Sequence, residues 1–157
     1  MSRAFPAPEF KTELRMPAEP TQARRFGKAR AERSTALLED YVELIADLLA
    51  ANGEARAADL AKRLGVTHPT ARENIGRLGR AGLVTARPYG GLFLTETGGK
   101  LAACVRARHR LVVDLLTAVG APADAAEADA VGMEHHVSEL TLKAFARFLS
   151  SAPESKA

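Results

Sequence analysis

One cysteine, Cys104, stands in the whole chain of 157 residues. That excludes an intrachain disulfide framework and fits a reducing compartment. Tryptophan is absent and aromatics make up only 5% of residues, so a core must be built from Leu, Val, Ile and Ala. No apolar run approaches the roughly 18 residues of a membrane span. The N-terminus lacks the compact apolar stretch of a secretory signal. A cytoplasmic location and no membrane partner are expected. No His-Glu-x-x-His motif, Gly-rich phosphate loop or nucleophile elbow occurs, which argues against an enzyme. Nothing calls for a small organic ligand.

The net charge of +3 is unevenly spread. Residues 1–33 carry eight Lys/Arg against four Asp/Glu, whereas residues 34–157 carry fourteen against fifteen. The first segment also holds four of the eight prolines and few large aliphatics. It is expected to be a flexible basic arm whose charge adds salt-dependent affinity for phosphates.

Beyond the arm the pattern is mainly α with a small β-wing. Ser34 is positioned to cap a helix to about Ala51, with Leu37, Leu38, Tyr41, Leu44, Ile45 and Leu48 at helical spacing. Asn52-Gly53 ends it. A short helix over about 57–64, a turn at Gly65, and a second helix from His68 to about Gly79 follow. Thr67 caps that second helix, and Pro69 sits harmlessly in its first turn. Residues 83–86 and 92–95 read as two strands joined by Arg87-Pro88-Tyr89-Gly90-Gly91. This order describes a winged helix-turn-helix, assigned to residues 34–98.

A long helix from Glu96 or Lys100 to Val119, a short one over 123–131 and a last one over 134–150 are expected next. They form a helical metal-binding and dimerisation domain over residues 99–152, before a tail at 153–157. Val137, Leu140, Ala144 and Phe148 make an apolar stripe that so small a domain cannot cover alone. A homodimer interface within residues 100–150 follows.

The helix from His68 is the DNA reader. Ala71, Ile75 and Leu78 face inward, leaving the opposite side for the major groove. Thr67, His68, Thr70, Arg72 and Glu73 are candidates for base edges or phosphates. Arg72 suits guanine and Glu73 suits the amino group of cytosine. Arg77, Arg80 and Arg87 can neutralise phosphates, and Tyr89 at the wing tip can touch the backbone or minor groove.

The second constellation is Gly132-Met133-Glu134-His135-His136-Val137-Ser138-Glu139, with a carboxylate and two imidazoles within one turn at an expected helix start. Asp40 and Glu43 share one face of the first helix. His109 interrupts an apolar stripe between Val105 and Val112. An oxygen-rich set with imidazoles and no thiolate suits Mn or Fe(II). His136 points away from His135 and is given a structural role. Cys104 falls off the His109 face and is read as a core residue.

Asp40-Tyr41-Val42-Glu43, the stretch from Leu60 to Val84, Arg108-His109-Arg110 and Gly132 to Ser138 together resemble the manganese-regulator branch of the diphtheria-toxin-repressor family. The resemblance spans about residues 34–150. It implies a homodimeric cytoplasmic repressor that binds a palindromic double-stranded DNA operator when loaded with Mn²⁺ and controls manganese uptake genes. It also implies Asp40, Glu43, His109, Glu134 and His135 as metal ligands. One position departs: the residue three before Glu134 is Val131, where such regulators carry a carboxylate. A mononuclear or weaker site is therefore expected, with Glu127, one turn earlier, as a further candidate. The alternative is a winged-helix regulator responding to Fe²⁺ or Zn²⁺, or to no metal.

Overall fold

A computed structural model of the chain describes residues 18–151, Tyr89 excepted. Helix α1 spans Glu19–Asn52, α2 Ala57–Leu64 and α3 His68–Arg80; strands β1 Val84–Ala86 and β2 Leu92–Leu94 follow; α4 spans Glu96–Ala118, α5 Ala123–Met133 and α6 Glu139–Ser151. The winged helix-turn-helix and the helical C-terminal unit are both present.

The largest departure from expectation is the start of α1. Ser34 is not its cap; the helix begins at Glu19, with Pro20 in its first turn. Residues 19–33 of the expected arm are thus helical, whereas residues 1–17 and the tail at 153–157 lie outside the described residues. The run from Thr21 to Arg33 is rich in Ala, Arg, Gln, Glu and Lys, all strong helix formers, and Gly27 costs only about 1 kcal/mol against them. The Lys28–Glu32 pair at 3.5 Å adds a little on the same face. The basic, proline-bearing composition predicts a flexible arm, but helix propensity outweighs it over residues 19–33.

Helices α2 and α3 meet at Gly65, whose φ of 66° needs a residue without a Cβ. The Thr67 hydroxyl accepts from the Thr70 backbone N–H and caps α3 as expected. Strands β1 and β2 pair antiparallel, with Val84 opposite Leu94 and Ala86 opposite Leu92. The Leu92 N–H donates to Ala55 O at 2.7 Å, which ties the wing to the α1–α2 loop. Tyr41, Val42, Ile45, Leu48, Leu60, Ala71, Leu78, Val84 and Leu92 form the core beneath α3.

The wing is locked to α4 by three linked bonds. Thr95 caps α4 by accepting from Gly98 N–H, donates its own hydroxyl to Gly82 O, and donates its backbone N–H to Leu83 O. A Cβ at Gly98 would lie 2.1 Å from Leu83 O, so only glycine lets α4 start this close to the strand. The C-terminal helix therefore grows directly out of the DNA-reading unit.

Val112, Val113, Ala126 and Ala130 make a second, smaller core between α4 and α5. The last helix starts at Glu139, not Glu134. The Glu134 N–H still donates to Ala130 O, so this residue closes α5, and the Ser138 hydroxyl accepts from Thr141 N–H at the head of α6. α6 buries none of its residues, and Leu140 is 79% exposed. Cys104 is exposed rather than core.

Candidate metal centre and nucleic-acid interface

Three elements meet at one acidic cluster. The middle of α1 supplies Glu39, Asp40 and Glu43, α4 supplies Arg108 and His109, and the end of α5 with the turn after it supplies Glu134 and His135. Four of the expected ligands are joined by direct contacts. His135 Nε2 lies 3.0 Å from Asp40 Oδ1 and 3.2 Å from Glu134 Oε1. His109 Nδ1 lies 2.6 Å from Glu134 Oε2. His109 Nε2 lies 2.9 Å from Glu127 Oε2, so the further candidate on α5 does reach the cluster. Glu43 lines the adjoining groove with Asp40, Asp47, Arg63 and Val131.

Glu134 is only 2% exposed, which is exceptional for a carboxylate. Its cost is offset only by a partner of opposite charge or by hydrogen bonds. Its neighbours reflect the same crowding. Burial pushes Asp40 above the usual carboxylate range, and Glu39 adds to that against the opposing pull of His135. Burial also raises Glu43, with repulsion from Glu134 and Asp47 acting in the same direction. Burial alone would depress His109, but hydrogen bonds to Glu127 and Glu134 outweigh it and the net direction is up. The Arg106–Asp47 and Arg108–Glu39 pairs balance part of the negative charge.

These side chains are paired with one another rather than gathered about one point. Among the described residues no three His, Cys, Asp or Glu side chains surround a common centre. The fit to a cation rests instead on one orphaned atom. His135 Nε2 is buried and makes no well-aligned hydrogen bond, although two carboxylate oxygens stand within 3.2 Å of it. A buried nitrogen facing oxygens without a bond to either is an arrangement that a divalent cation satisfies, and the donor set suits such an ion. Val131 is exposed at the mouth of this groove and offers no donor. His136 Nδ1 lies 3.5 Å from Glu32, consistent with a structural role toward α1.

Sequence reasoning missed Glu39 and Arg108. Glu39 is buried, and its Oε2 accepts from His135 Nδ1 at 2.6 Å and from Arg108 Nη2 at 2.5 Å. Its signal was its place next to Asp40 and four residues before Glu43, on the face turned toward α4.

The reader surface is a groove of about 610 Å³ between α3 and the wing, lined by Arg56, His68, Arg72, Gly76 and Arg87 among others. His68, Arg72 and Arg87 were expected there; Arg56 was not, and it is paired with Glu54 at 2.6 Å. The Arg87 guanidinium stacks 4.6 Å from the Phe93 ring centre, which holds the wing's cation in place. Thr67, Thr70, Glu73 and Arg80 are exposed. The Thr67 and Thr70 hydroxyls are 2.8 Å apart and satisfy each other at the head of α3. Arg77, expected on the phosphates, is half-buried and donates to Asn74 Oδ1 at 3.3 Å and to Ser34 Oγ at 3.0 Å. Asn74, also missed, is buried and donates to the Tyr41 hydroxyl at 3.3 Å. Tyr89 lies outside the described residues.

Residues 34–92 match the model of the iron dependent repressor N-terminal DNA binding domain, and residues 95–155 match that of the iron dependent repressor metal binding and dimerisation domain. The transcriptional regulator MntR of Escherichia coli O157:H7 is 43% identical over 148 residues, covering 94% of this chain and 96% of the relative. The chain belongs to the iron-dependent, or diphtheria-toxin-repressor, family. It is an MntR-like member of that family, a metal-dependent transcriptional repressor and not an enzyme. MntR of Salmonella typhimurium is 46% identical over 123 residues, covering 78% of each chain. Among solved structures, a manganese-dependent transcriptional repressor in complex with manganese aligns at TM-score 0.66 and 30% identity, over 72% of this chain and 52% of that one. The manganese regulator SloR aligns at TM-score 0.64 and 28% identity, over 73% of this chain and 54% of its own. The chain thus spans about half the length of these solved structures.

Proposed function

We propose that the protein is a cytoplasmic, homodimeric repressor that responds to Mn²⁺ and, when loaded, grips a palindromic operator controlling manganese uptake. The observation that carries this reading is the orphaned His135 Nε2 facing Asp40 and Glu134, on segments that belong to different elements. Asp40, Glu43, His109, Glu134 and His135 are the ligands proposed, with Glu127 as an additional donor through its contact with His109. Manganese is favoured over softer ions because carboxylates outnumber imidazoles and no thiolate is near. The names of the relatives point the same way.

A divalent cation would supply positive charge that relieves the mutual repulsion of these carboxylates. The chain's own residues turn that relief into a DNA signal. α1 carries acidic groups toward α4 and the α5–α6 turn, and its opposite face carries Tyr41, Val42 and Ile45 into the core under α3. α4 in turn is fused to the wing through Thr95 and Gly98. Drawing α1, α4 and the turn together therefore fixes the recognition helix relative to the dimerisation helices. Two copies can then present their α3 helices about 34 Å apart, or a multiple, as two-fold operator half-sites require. Arg72 and Glu73 are assigned to base edges, with His68, Thr67 and Thr70 at the head of α3. Arg80 and Arg87 are assigned to phosphates. Exposed Leu140 and Phe148 on α6 are the surface offered to the second copy.

Operator binding measured with Mn²⁺ and with EDTA tests the proposal. Affinity should rise at least tenfold with metal; equal affinity in both would overturn it. Titration with Fe²⁺ and Zn²⁺ alongside identifies the preferred ion.

A further inference from the structure

Glu39 touches neither the orphaned nitrogen nor the groove lined by Asp40, Glu43 and Val131, yet it is more buried than its neighbour Asp40. One of its oxygens, Oε2, serves two donors: His135 Nδ1 at 2.6 Å and Arg108 Nη2 at 2.5 Å. The carboxylate thereby joins α1, α4 and the turn after α5. An ionised carboxylate only accepts, so the hydrogen of this bond must sit on His135 Nδ1. A neutral imidazole has a single N–H, so its other nitrogen, Nε2, carries the lone pair. That atom is the buried one without a hydrogen-bond partner, 3.0 Å from Asp40 Oδ1 and 3.2 Å from Glu134 Oε1. The space between this nitrogen and the two oxygens suits a proton or a cation, and a divalent cation that binds there displaces the proton.

We propose that Glu39, anchored by Arg108, is a positioning residue that selects the Nδ1–H form of His135 and so aims its Nε2 lone pair, with Asp40 and Glu134, at a divalent cation. Outer carboxylates that orient a ligating imidazole in this way commonly change metal affinity 10–100-fold when removed. Arg108 has its own part. Its guanidinium only donates, and its bond to Glu39 Oε2 keeps that oxygen turned to His135. Asp40, one residue further along α1, presents its oxygen to the other nitrogen of the same ring. Adjacent residues thus divide the work: one fixes the ring and the other stands beside its open nitrogen. The tautomer assignment is independent of the regulatory reading above; only the identity of the ion rests on it.

The test combines a nitrogen-resolved histidine NMR spectrum of the metal-free protein with metal titration. Once the ring is neutral, at the alkaline end of a pH series followed by that spectrum, His135 of the unsubstituted protein should show protonated Nδ1 and bare Nε2. In Glu39→Gln the amide can either accept or donate, so the two tautomers should mix and Mn²⁺ affinity should fall 10–100-fold. Arg108→Ala, which leaves the carboxylate unanchored, should shift both readouts in the same direction by less. A protonated Nε2 in the unsubstituted protein overturns the assignment without reference to any variant. Unchanged Mn²⁺ affinity in both variants overturns the positioning role. If the unsubstituted protein binds no divalent metal but shows the Nδ1–H form, and Glu39→Gln scrambles it, the tautomer selection stands and the manganese-responsive reading falls instead.

Discussion

Asp40 and Tyr41 are adjacent on α1 yet report to opposite halves of the molecule. The Asp40 carboxylate stands 3.0 Å from His135 Nε2, while the Tyr41 hydroxyl accepts from Asn74 Nδ2 on the recognition helix at 3.3 Å. One peptide bond therefore separates the acidic cluster from the reader. Both Tyr41 and Asn74 are buried, so their bond is not in exchange with water. Leaving one partner unsatisfied should cost about 1–3 kcal/mol. Tyr41→Phe is expected to leave metal affinity within a few-fold of normal while shrinking the gain in operator affinity on metal addition. Calorimetry for the metal and fluorescence anisotropy for the DNA separate the two. A full metal response in Tyr41→Phe would show that coupling bypasses this contact.

Glu134 holds both imidazoles, with Oε2 at 2.6 Å from His109 and Oε1 at 3.2 Å from His135. It is also the most buried acid of the cluster. Glu134→Ala removes an expected ligand together with a costly buried charge. Metal affinity should fall by at least the 10–100-fold typical of outer partners, and the metal-free Tm should fall too, because His109 and His135 lose a buried partner. Thermal melts with and without Mn²⁺ check both: the metal-induced rise in Tm should vanish. A rise equal to that of the unsubstituted protein would remove Glu134 from the site.

Much of this arrangement was legible in the sequence, and the misses have physical causes. Turn and cap chemistry at Gly65 and Thr67, with Gly90-Gly91 at the wing tip, placed the helix-turn-helix and wing to within a residue or two, because those signals are local. The cluster of Asp40, His109, Glu134 and His135 was legible chiefly through the family resemblance, since only His109 is unusual on its own face and Asp40 alone is an ordinary surface acid. Ser34 misled because a good N-cap residue can equally sit inside a helix when strong formers precede it. Glu39 and Asn74 were missed because their importance lies in being buried polar groups with distant partners, at separations of 96 and 33 residues. Periodicity shows which face a residue occupies but not which polar group waits on the other side. The bond from Arg77 to Ser34 on α1, 43 residues away, was equally invisible to periodicity.

His109 gives the metal-free protein a pH signature. Burial would lower its pKa, but the bonds to Glu127 and Glu134 win and raise it in the folded state. A group with a raised folded pKa adds stability that is fully present below the unfolded value, near 6.5, and is lost as pH rises through the folded value. In EDTA, the stability of the unsubstituted protein relative to His109→Gln should therefore be greatest near pH 6 and decline above pH 7. Denaturant midpoints at three pH values measure it, and a difference independent of pH would contradict the pairing.

Gly98 tests the mechanical joint between reader and dimerisation helix. The Cβ of an alanine there would meet Leu83 O at 2.1 Å and Leu94 Cδ2 at 3.3 Å. The first of these is backbone and cannot rotate away, so Gly98→Ala should lose about 1–3 kcal/mol through overpacking, despite alanine's better helix propensity. The neighbouring Gly99 has open space around its Cβ position, so Gly99→Ala should be neutral or stabilising by up to about 1 kcal/mol. Urea melts of the pair decide the matter within one helical turn, and equal midpoints would mean that α4 can slide away from the wing.

Val131 is exposed at the mouth of the groove lined by Asp40, Glu43 and Asp47, one turn before Glu134 on α5. A carboxylate there would add an oxygen donor to a set that already favours hard divalent ions. It would also add negative charge beside Glu43, whose pKa burial and Glu134 already push upward. The two effects have opposite signs in the two states: the metal-free protein should lose a little stability and the loaded protein should gain affinity. Val131→Glu is therefore expected to tighten Mn²⁺ binding or to raise the number of ions per chain, together with a lower Tm in EDTA. Calorimetric stoichiometry and paired melts read the two terms separately. If the substitution changes neither affinity nor stoichiometry, the valine side of the groove does not face the ion, and Glu127, already 2.9 Å from His109, is the α5 carboxylate that completes the site.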